Sequence, residues 1–200
     1  MFSLHKPNPS ELASLLELAQ ASSLGYTSKL NAVSTQNGIT PPPPRGFAVD
    51  HTRSKIGTGP NVFESAKTAI HQWLHFDLGW VSIANPEAII TPGQIIAVEA
   101  HTLGLWSLNF NRILYVIDED SPRKPRRFGY AYGTTHLHVE SGEELFVLEQ
   151  DPTTGDVFYD LLAISRPSHW LAKLGYPYTR SQQHRFARDS HARMTQLAGC

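Results

Sequence analysis

Apolar residues recur at helical spacing in two stretches of the N-terminal half of the chain. The first stretch predicts a helix over about residues 11–22, with Ser10 as the residue that caps its first turn. The second predicts a helix over about residues 60–75, where Pro60 suits the first helical position. Both stretches have a polar side as well, so each predicted helix should bury only one face.

Strand-like patterns fill the middle of the chain. An extended stretch begins at Gly46, and after the second helix six short segments are separated by turns rich in Gly, Pro and Asn. The six predicted strands are 80–84, 94–102, 112–119, 128–135, 143–150 and 156–165. The helical pattern then returns over 167–197, and Gly175 and Pro177 are expected to kink or split that last helix.

The order of these elements predicts an α+β fold. Short links imply antiparallel neighbours, so we expect a curved antiparallel sheet of about seven strands that grips a long C-terminal helix. This order resembles the helix-grip fold of the START and Bet v 1-like proteins, which implies a ligand cavity between sheet and helix. Residues 1–45, which end in a run of prolines, are predicted to form an N-terminal helical arm, and residues 46–200 a single domain.

Two of the predicted strands are apolar on both faces. In strand 112–119, Ile113, Tyr115 and Ile117 are expected to share one face, and strand 143–150 is likewise apolar on both sides. A sheet face that is open to water should instead alternate apolar with polar residues. We therefore expect the outer face to be covered, either by the N-terminal helix or by a second subunit in a homodimer.

Composition and charge narrow the classes of function. The chain of 200 residues is 40% hydrophobic with a formal net charge of -1, and no apolar run approaches the roughly 20 residues of a membrane span. The first residues lack the pattern of a signal peptide, so we expect a cytoplasmic protein without membrane insertion. Arginines gather near the C-terminus, and we interpret them as a solvated helix face, so no nucleic-acid partner is expected.

The strand predicted over 128–135 is typical of the wall of a small-molecule pocket. Phe128, Tyr130, Tyr132 and Thr134 should share one face, where tyrosines offer apolar walls with hydroxyl tips. Ordinary core packing explains the same stripe equally well. The opposite face carries only glycine and alanine, which would let another element such as the arm approach closely.

Further candidates for ligand contacts lie on neighbouring strands. Trp106 would extend the aromatic wall, and Asn109 and Arg112 would supply polar contacts inside the cavity. Either Arg112 or Arg166 would hold an acidic group on the ligand.

Two groups of histidines raise the question of a metal site. His136, His138 and Glu140 would point to one face of an extended strand, yet a polar turn between strands explains them better, so no metal is predicted. His71 and His75 are spaced as a metal-binding pair on a helix but lack the glutamate of the zincin motif. We expect these two histidines to be exposed to solvent.

The stretches “RFGYAYGTTHLHVESGEELFVLE” and “AISRPSHWLAKLGYPYTRSQQHRFARDS” together resemble the family called domain of unknown function 1990, over roughly residues 46–192. The residues that match its pattern in the first stretch are Gly129, Tyr132, Gly133, Thr134, His138, Glu140, Gly142, Glu143 and Glu144. The chain departs from the pattern at positions 135–137 and 139, where family members often have Leu, Pro, Gly and Pro. The resemblance implies a site near His138–Glu144 and Arg166.

Two functions fit these observations. The first is binding of a small lipophilic or aromatic ligand, without a cofactor, in a cavity between the sheet and the C-terminal helix. The second is a cofactor-independent isomerase, cyclase or hydrolase in which His138 acts as acid or base. In that case Glu140 or Glu144 would orient the imidazole, and the Tyr132 hydroxyl would stabilise developing negative charge.

Overall fold

Eight strands form one antiparallel sheet in the computed structural model, which describes residues 2–26, 45–121, 124–167 and 176–199. The strands are β1 (Phe2–Ser3), β2 (Ala48–Thr58), β3 (Val81–Ile83), β4 (Ile95–Thr102), β5 (Leu105–Glu119), β6 (Arg126–Thr134), β7 (Glu140–Gln150) and β8 (Asp156–Pro167). Their order is β2-β8-β7-β6-β5-β4-β3, and the short β1 pairs with β5. The helices are α1 (Pro9–Ala21), α2 (Pro60–His71), a 3₁₀ helix (Leu74–Phe76) and α3 (Tyr176–Ala198).

The sheet curls into a half-barrel around α3, so the predicted α+β helix-grip fold with about seven strands is confirmed. On the inner face, the rings of Phe128, Tyr130 and Phe146 pack against α2, the 3₁₀ helix and the C-terminal half of α3. Ala187, Met194 and Ala198 of α3 belong to this core, and Phe186 packs against it, whereas the helix before Phe186 does not take part in it. That first part of the helix faces the remaining part of the sheet, and the space between them is the cavity described below.

The ends of the helices differ from the prediction in two places. α1 is capped by Asn8 rather than Ser10, because the Asn8 side chain accepts a hydrogen bond from the Glu11 N–H at 3.0 Å and Glu11 bonds back to the Asn8 N–H at 2.9 Å. Pro177 lies in the first turn of α3. A backbone N–H in the first turn has no acceptor within the helix, so a proline there removes no hydrogen bond and does not kink the helix. Gly175 lies outside the described residues.

The exposure expected for His75 is wrong, because the second helix ends earlier than its apolar pattern suggests. α2 stops at His71, which is exposed, and Trp73 then adopts a left-handed conformation with φ of 60°. This break turns the 3₁₀ helix inward and buries His75 completely. Its Nε2 lies 2.8 Å from the Tyr130 hydroxyl oxygen, and burial lowers the pKa of the imidazole to about 3.

A bulge in β5 also changes which residues share a face. The register between β5 and β6 shifts between Ile113 and Tyr115. Ile113 therefore packs in the inner core, while Tyr115 and Ile117 pack on the outer face. The strict alternation predicted for these three residues is wrong, since an extra residue in one strand inverts the alternation beyond it.

The outer face of the sheet is covered in part by the N-terminal segment. Ala19 of α1 is buried against Leu108 and Phe110 of β5 and their neighbours on β4. The guanidinium of Arg112 donates hydrogen bonds to the carbonyls of Ala19, Gln20 and Ser22, and so holds the last turn of α1 on the sheet. The predicted cover by the N-terminal helix is confirmed for this region, and a homodimer through the outer face stays a prediction.

The small-residue face of β6 does accept the N-terminal segment. A Cβ atom added to Gly133 would lie 2.2 Å from the hydroxyl of Tyr26, and that hydroxyl donates to Glu143 at 2.7 Å. β1 and α1 both contact the sheet, and the division into an arm of residues 1–45 and a single domain of residues 46–200 stays a prediction.

The arginines near the C-terminus are paired with carboxylates. Each pair links two residues of α3, or links α3 to β2 or to the residue after the 3₁₀ helix. This agrees with the interpretation of these arginines as a solvated helix face. The pairs are Arg180–Asp50, Arg185–Asp189, Arg188–Asp189 and Arg193–Asp77. None of the described helices has the length and apolar character needed to cross a membrane.

Replacing Gly142 with alanine is expected to lower the free energy of unfolding by about 2 kcal/mol, as overpacking does. A Cβ atom at this position would lie 2.2 Å from the backbone oxygen of Ile164 on β8 and 2.8 Å from the Cα of Ser165. Gly199→Ala is the matched control, because its nearest contact would be an ordinary 3.6 Å. Urea unfolding of both variants measures the difference, and equal stability would contradict the close approach of β7 and β8.

Candidate functional site

A cavity of about 430 Å³ lies between the inner face of the sheet and the N-terminal half of α3. Its walls are mostly apolar, and they come from β4, β5, the 3₁₀ helix and α3. The apolar residues that line it include Phe76, Trp80, Val81, Val98, Ala100, Leu105, Val139, Tyr178 and Phe186. Phe2 and Leu103 lie at its exposed rim.

The polar side of the cavity is built by β6, β7 and the turn between them. Strand alternation places Tyr132 and Thr134 of β6, with Glu140 and Glu144 of β7, on the inner face. His138 lines the cavity from the turn that precedes β7. The structure therefore brings together His138, Glu140, Glu144 and Tyr132, the residues that were predicted from the sequence to form an acid/base set.

Glu140 is held by a chain of hydrogen bonds from α3. Both of its carboxylate oxygens accept from Gln183 Nε2 at 3.0 Å, and the same nitrogen lies 2.9 Å from Ser165 Oγ. Gln183 Oε1 in turn accepts from Arg180 at 2.7 Å, and Arg180 donates to Asp50 at 2.5 Å. This chain fixes the amide of Gln183 with its N–H groups toward the carboxylate.

Glu144 lies four residues further along β7, on the same face of the sheet, and its side chain is bonded to the neighbouring strand. It accepts a hydrogen bond from the hydroxyl of Tyr132. The two residues lie directly opposite each other where β6 pairs with β7. Tyr132 is buried, and burial together with the charge of Glu144 raises its pKa well above the ordinary value. The tyrosine is therefore a neutral donor throughout the physiological range.

The two carboxyls share one electrostatic environment. Burial and the nearby charge of Glu144 together raise the pKa of Glu140 to about 7, against the lowering effect of Gln183. Burial likewise raises the pKa of Glu144 to about 7, against the hydrogen bond from Tyr132. A pair of carboxyls that titrates near neutrality can hold or release a proton at physiological pH.

His138 has the opposite electrostatic character. Its Nδ1 accepts a hydrogen bond of 2.9 Å from the backbone N–H of Glu140, which requires the neutral tautomer with the proton on Nε2. Burial lowers the pKa of the imidazole to about 3. The ring is therefore a hydrogen-bond donor through Nε2 at neutral pH, and the acid/base capacity of the cluster resides in Glu140 and Glu144.

His138 is expected to stay neutral at pH 5 with its proton on Nε2. Long-range proton–nitrogen NMR correlation spectra of the ¹⁵N-labelled protein distinguish both tautomers from the charged ring. The same protein in denaturant provides the reference, since an unfolded histidine ionises near its ordinary pKa of about 6.5. Ionisation of His138 near that value in the native protein would contradict the burial described here.

Other predicted ligand contacts divide between the cavity and the core. Asn109 and Thr134 line the cavity: Asn109 Oδ1 accepts from the N–H of Val139 at 3.4 Å, and Thr134 Oγ1 accepts from that of Gly142 at 3.0 Å. Tyr130 is fully buried beside His75 and is not among the cavity-lining residues. For Tyr130, the alternative of ordinary core packing is the one that the structure favours.

Trp106, Arg112 and Arg166 lie on the outer face of the sheet, away from the cavity. Trp106 stacks on His101 with ring centroids 4.6 Å apart, and Arg166 lies over the ring of Phe47 at 4.7 Å. Arg112 binds the C-terminal carbonyls of α1, as described above. The prediction that these three side chains contact a ligand in the cavity is wrong, because the alternation of side chains along β5 and β8 directs them to the outer face.

Side chains of α3 and Trp80 line the cavity, although no ligand contact was predicted for any of them. Tyr178, Gln182, Gln183 and Phe186 recur at helical spacing on the face of α3 that closes the cavity. Their signal in the sequence was the helical recurrence itself. It carried no information about which strand residues the helix would meet. Among the described residues, no group of three or more His, Cys, Asp or Glu side chains is arranged to hold a metal ion.

The curled sheet, the long C-terminal helix and the cavity between them define a protein of the helix-grip class. A family model described as “Domain of unknown function (DUF1990)” matches residues 31–193, so the chain belongs to this family. A “UPF0548 protein” of Dictyostelium discoideum is 36% identical and covers 100% of this chain and 96% of its own length. One from Deinococcus radiodurans is 30% identical over the whole of both chains.

Solved structures support the fold class. The di-domain ARO/CYC StfQ from the steffimycin biosynthetic pathway superposes with a TM-score of 0.50 and 9% identity, covering 76% of this chain and 51% of that one. A hypothetical protein from Helicobacter pylori gives the same TM-score at 10% identity, over 88% of this chain and 96% of its own. At such identities the likeness concerns the fold alone.

Proposed function

We propose that this protein binds a small, mainly apolar ligand in the cavity, with the ligand's polar end against Glu140 and Glu144. The observation that carries the proposal is the cavity of about 430 Å³, whose apolar walls end in a compact polar cluster. Ligand pockets in proteins commonly measure about 300–1,000 Å³ and have this composition. Interiors without such a role are packed densely, as the core beside α2 is.

The polar cluster supports binding because its geometry is fixed before any ligand arrives. Gln183 holds Glu140, Tyr132 holds Glu144, and the Glu140 N–H holds His138. A site with such preset hydrogen bonds loses little conformational entropy when a ligand is bound.

Titration with the neutral fluorescent lipophile N-phenyl-1-naphthylamine tests this proposal. We expect a saturable rise in fluorescence with one site per chain and a higher melting temperature at saturation, because a ligand that binds only the native state stabilises it. Absence of saturable binding by this probe and by other neutral lipophiles of similar size would defeat the proposal.

A second function is favoured by one observation, the two cavity-lining carboxyls with pKa values of about 7. Such a pair, with the Tyr132 hydroxyl beside it, could remove and return a proton on a bound ketone or enol without a cofactor. This would be an isomerase or cyclase type of chemistry in which Glu140 and Glu144 replace His138 as acid and base.

Proton exchange on a simple ketone tests this second function. We expect 2-tetralone in deuterium oxide to incorporate deuterium next to its carbonyl faster with the protein than in buffer, and the excess to disappear in Glu144→Gln. Binding of 2-tetralone without any excess exchange would support the binding function and contradict the enzymatic one.

A further inference from the structure

The charged groups that line the cavity are all of one sign in the described part of the chain. Glu140 and Glu144 present their carboxyls to it, whereas no Lys or Arg is among its lining residues. Arg180, the cation nearest to this cluster along the hydrogen-bond chain, is engaged by Asp50 and by Gln183 Oε1. The carboxyl of Glu143, the next residue along β7, is bound by Tyr26 on the other face of the sheet.

The remaining polar groups include the His138 ring, which donates through Nε2, and side chains that are already hydrogen-bonded to the two carboxyls. Gln182 lines the cavity, and its buried Oε1 has no hydrogen-bond partner among the described residues. Both Nε2 of Gln183 and the hydroxyl of Tyr132 already donate to the carboxylates. Because the Oε1 of Gln182 is enclosed, a ligand that enters this cluster meets the carboxyls of Glu140 and Glu144, an arrangement that suits a group with several N–H donors.

The aromatic walls favour the same kind of ligand. Phe76, Tyr178 and Phe186 line the cavity together with Trp80. The faces of such rings attract cations, most strongly where water is excluded. A carboxylate on the ligand would face the opposite situation, since it would have to lose its hydration beside two like charges.

We propose that the natural ligand is a lipophilic amine, bound with its ammonium group between Glu140 and Glu144 and its apolar body along the aromatic walls. This inference rests on the proposed binding function and gives it a ligand class. It also reverses the expectation from the sequence that arginines would hold an acidic ligand, because both of those arginines lie on the outer face.

Three naphthalene compounds that differ only in their polar group test the inference. They are 2-naphthylmethylamine, 2-naphthylmethanol and 2-naphthoic acid, titrated by calorimetry against the full-length protein at pH 7.5. We expect the amine to bind at least 10-fold more tightly than the alcohol, and the acid more weakly than both.

The double variant Glu140→Gln/Glu144→Gln identifies the source of the preference. We expect it to lose the preference, so that the amine binds no better than the alcohol. If the double variant does not fold, the ranking of the three compounds on the wild-type protein decides alone. Each outcome then either supports the inference or overturns it.

The inference and the binding function fail in different ways. If the alcohol binds but the amine has no advantage, or if the acid binds best, the amine inference is overturned and the binding function stands. If the amine preference survives in the double variant, its source lies outside the two carboxyls and the inference is overturned. If none of the three compounds binds, the binding function is contradicted together with the inference.

Discussion

Replacing Ala100 with tryptophan is expected to weaken binding of N-phenyl-1-naphthylamine by about 30-fold or more, which corresponds to about 2 kcal/mol. Ala100 is half-buried on the inner face of β4 and lines the cavity. An indole at this position would project into the space that the ligand needs. Because that space is not filled by other side chains, we expect the variant to fold with a melting temperature equal to or above that of the wild type.

Ala192→Trp is the matched control for this substitution. It makes the same chemical change at an exposed position on α3, among the residues that follow the cavity-lining half of the helix. Fluorescence titration should give wild-type affinity for Ala192→Trp. Equal affinity for all three proteins would mean that the probe binds elsewhere, and the cavity would lose its claim to be the site.

Glu144→Gln is expected to gain stability relative to the wild type as the pH rises, by about 2–3 kcal/mol between pH 4.5 and 8. The native pKa of Glu144 is raised from 4.5 to about 7, so the unfolded chain releases this proton at lower pH than the native protein does. The stability that the protonated carboxyl contributes is fully present below pH 4.5 and is lost as the pH rises through about 7. Glutamine stays neutral over this range and does not lose it.

Taking the difference between variant and wild type removes the contributions that both proteins share. The pKa of Glu140 also falls in the variant, because the charge of Glu144 no longer raises it, and this adds to the difference in the same direction. His75 and His138, whose lowered pKa values make stability fall as the pH drops below about 6.5, are present in both proteins and cancel. Glu17→Gln, at an exposed position on α1, reports the effect of removing one carboxylate from the surface. Urea unfolding at a series of pH values gives the free energies, and a difference for Glu144→Gln that stays flat from pH 4.5 to 8 would contradict the burial of the pair.

The fold was largely predictable from the local pattern of apolar and polar residues, and the predictions that were wrong have local causes. Period-two alternation predicted that Tyr132 and Thr134 share one face, and short turns identified an antiparallel sheet. The left-handed Trp73 that ends α2 early leaves no trace in apolar spacing, because Trp73 is itself apolar and buried. The bulge beside Tyr115 is equally invisible, since both faces of β5 are apolar there.

The residues of the site could be predicted only within a single pair of neighbouring strands. Alternation along β5 separates Asn109 from Trp106 and Arg112, but it does not say which of the two faces holds the cavity. That choice depends on where α1 and α3 pack, which is a tertiary contact. The role of Gln183 depends on the same packing, because its partner Glu140 lies 43 residues earlier in the chain.

Nuclear Overhauser effects between a bound lipophile and the methyl groups of the protein test the central claim most directly. With N-phenyl-1-naphthylamine and methyl-labelled protein, we expect effects from the naphthyl protons to Val98 and Val139, which both line the cavity. Effects confined to exposed side chains such as Leu18 and Ile89 would place the probe on the surface and contradict a ligand site between the sheet and α3.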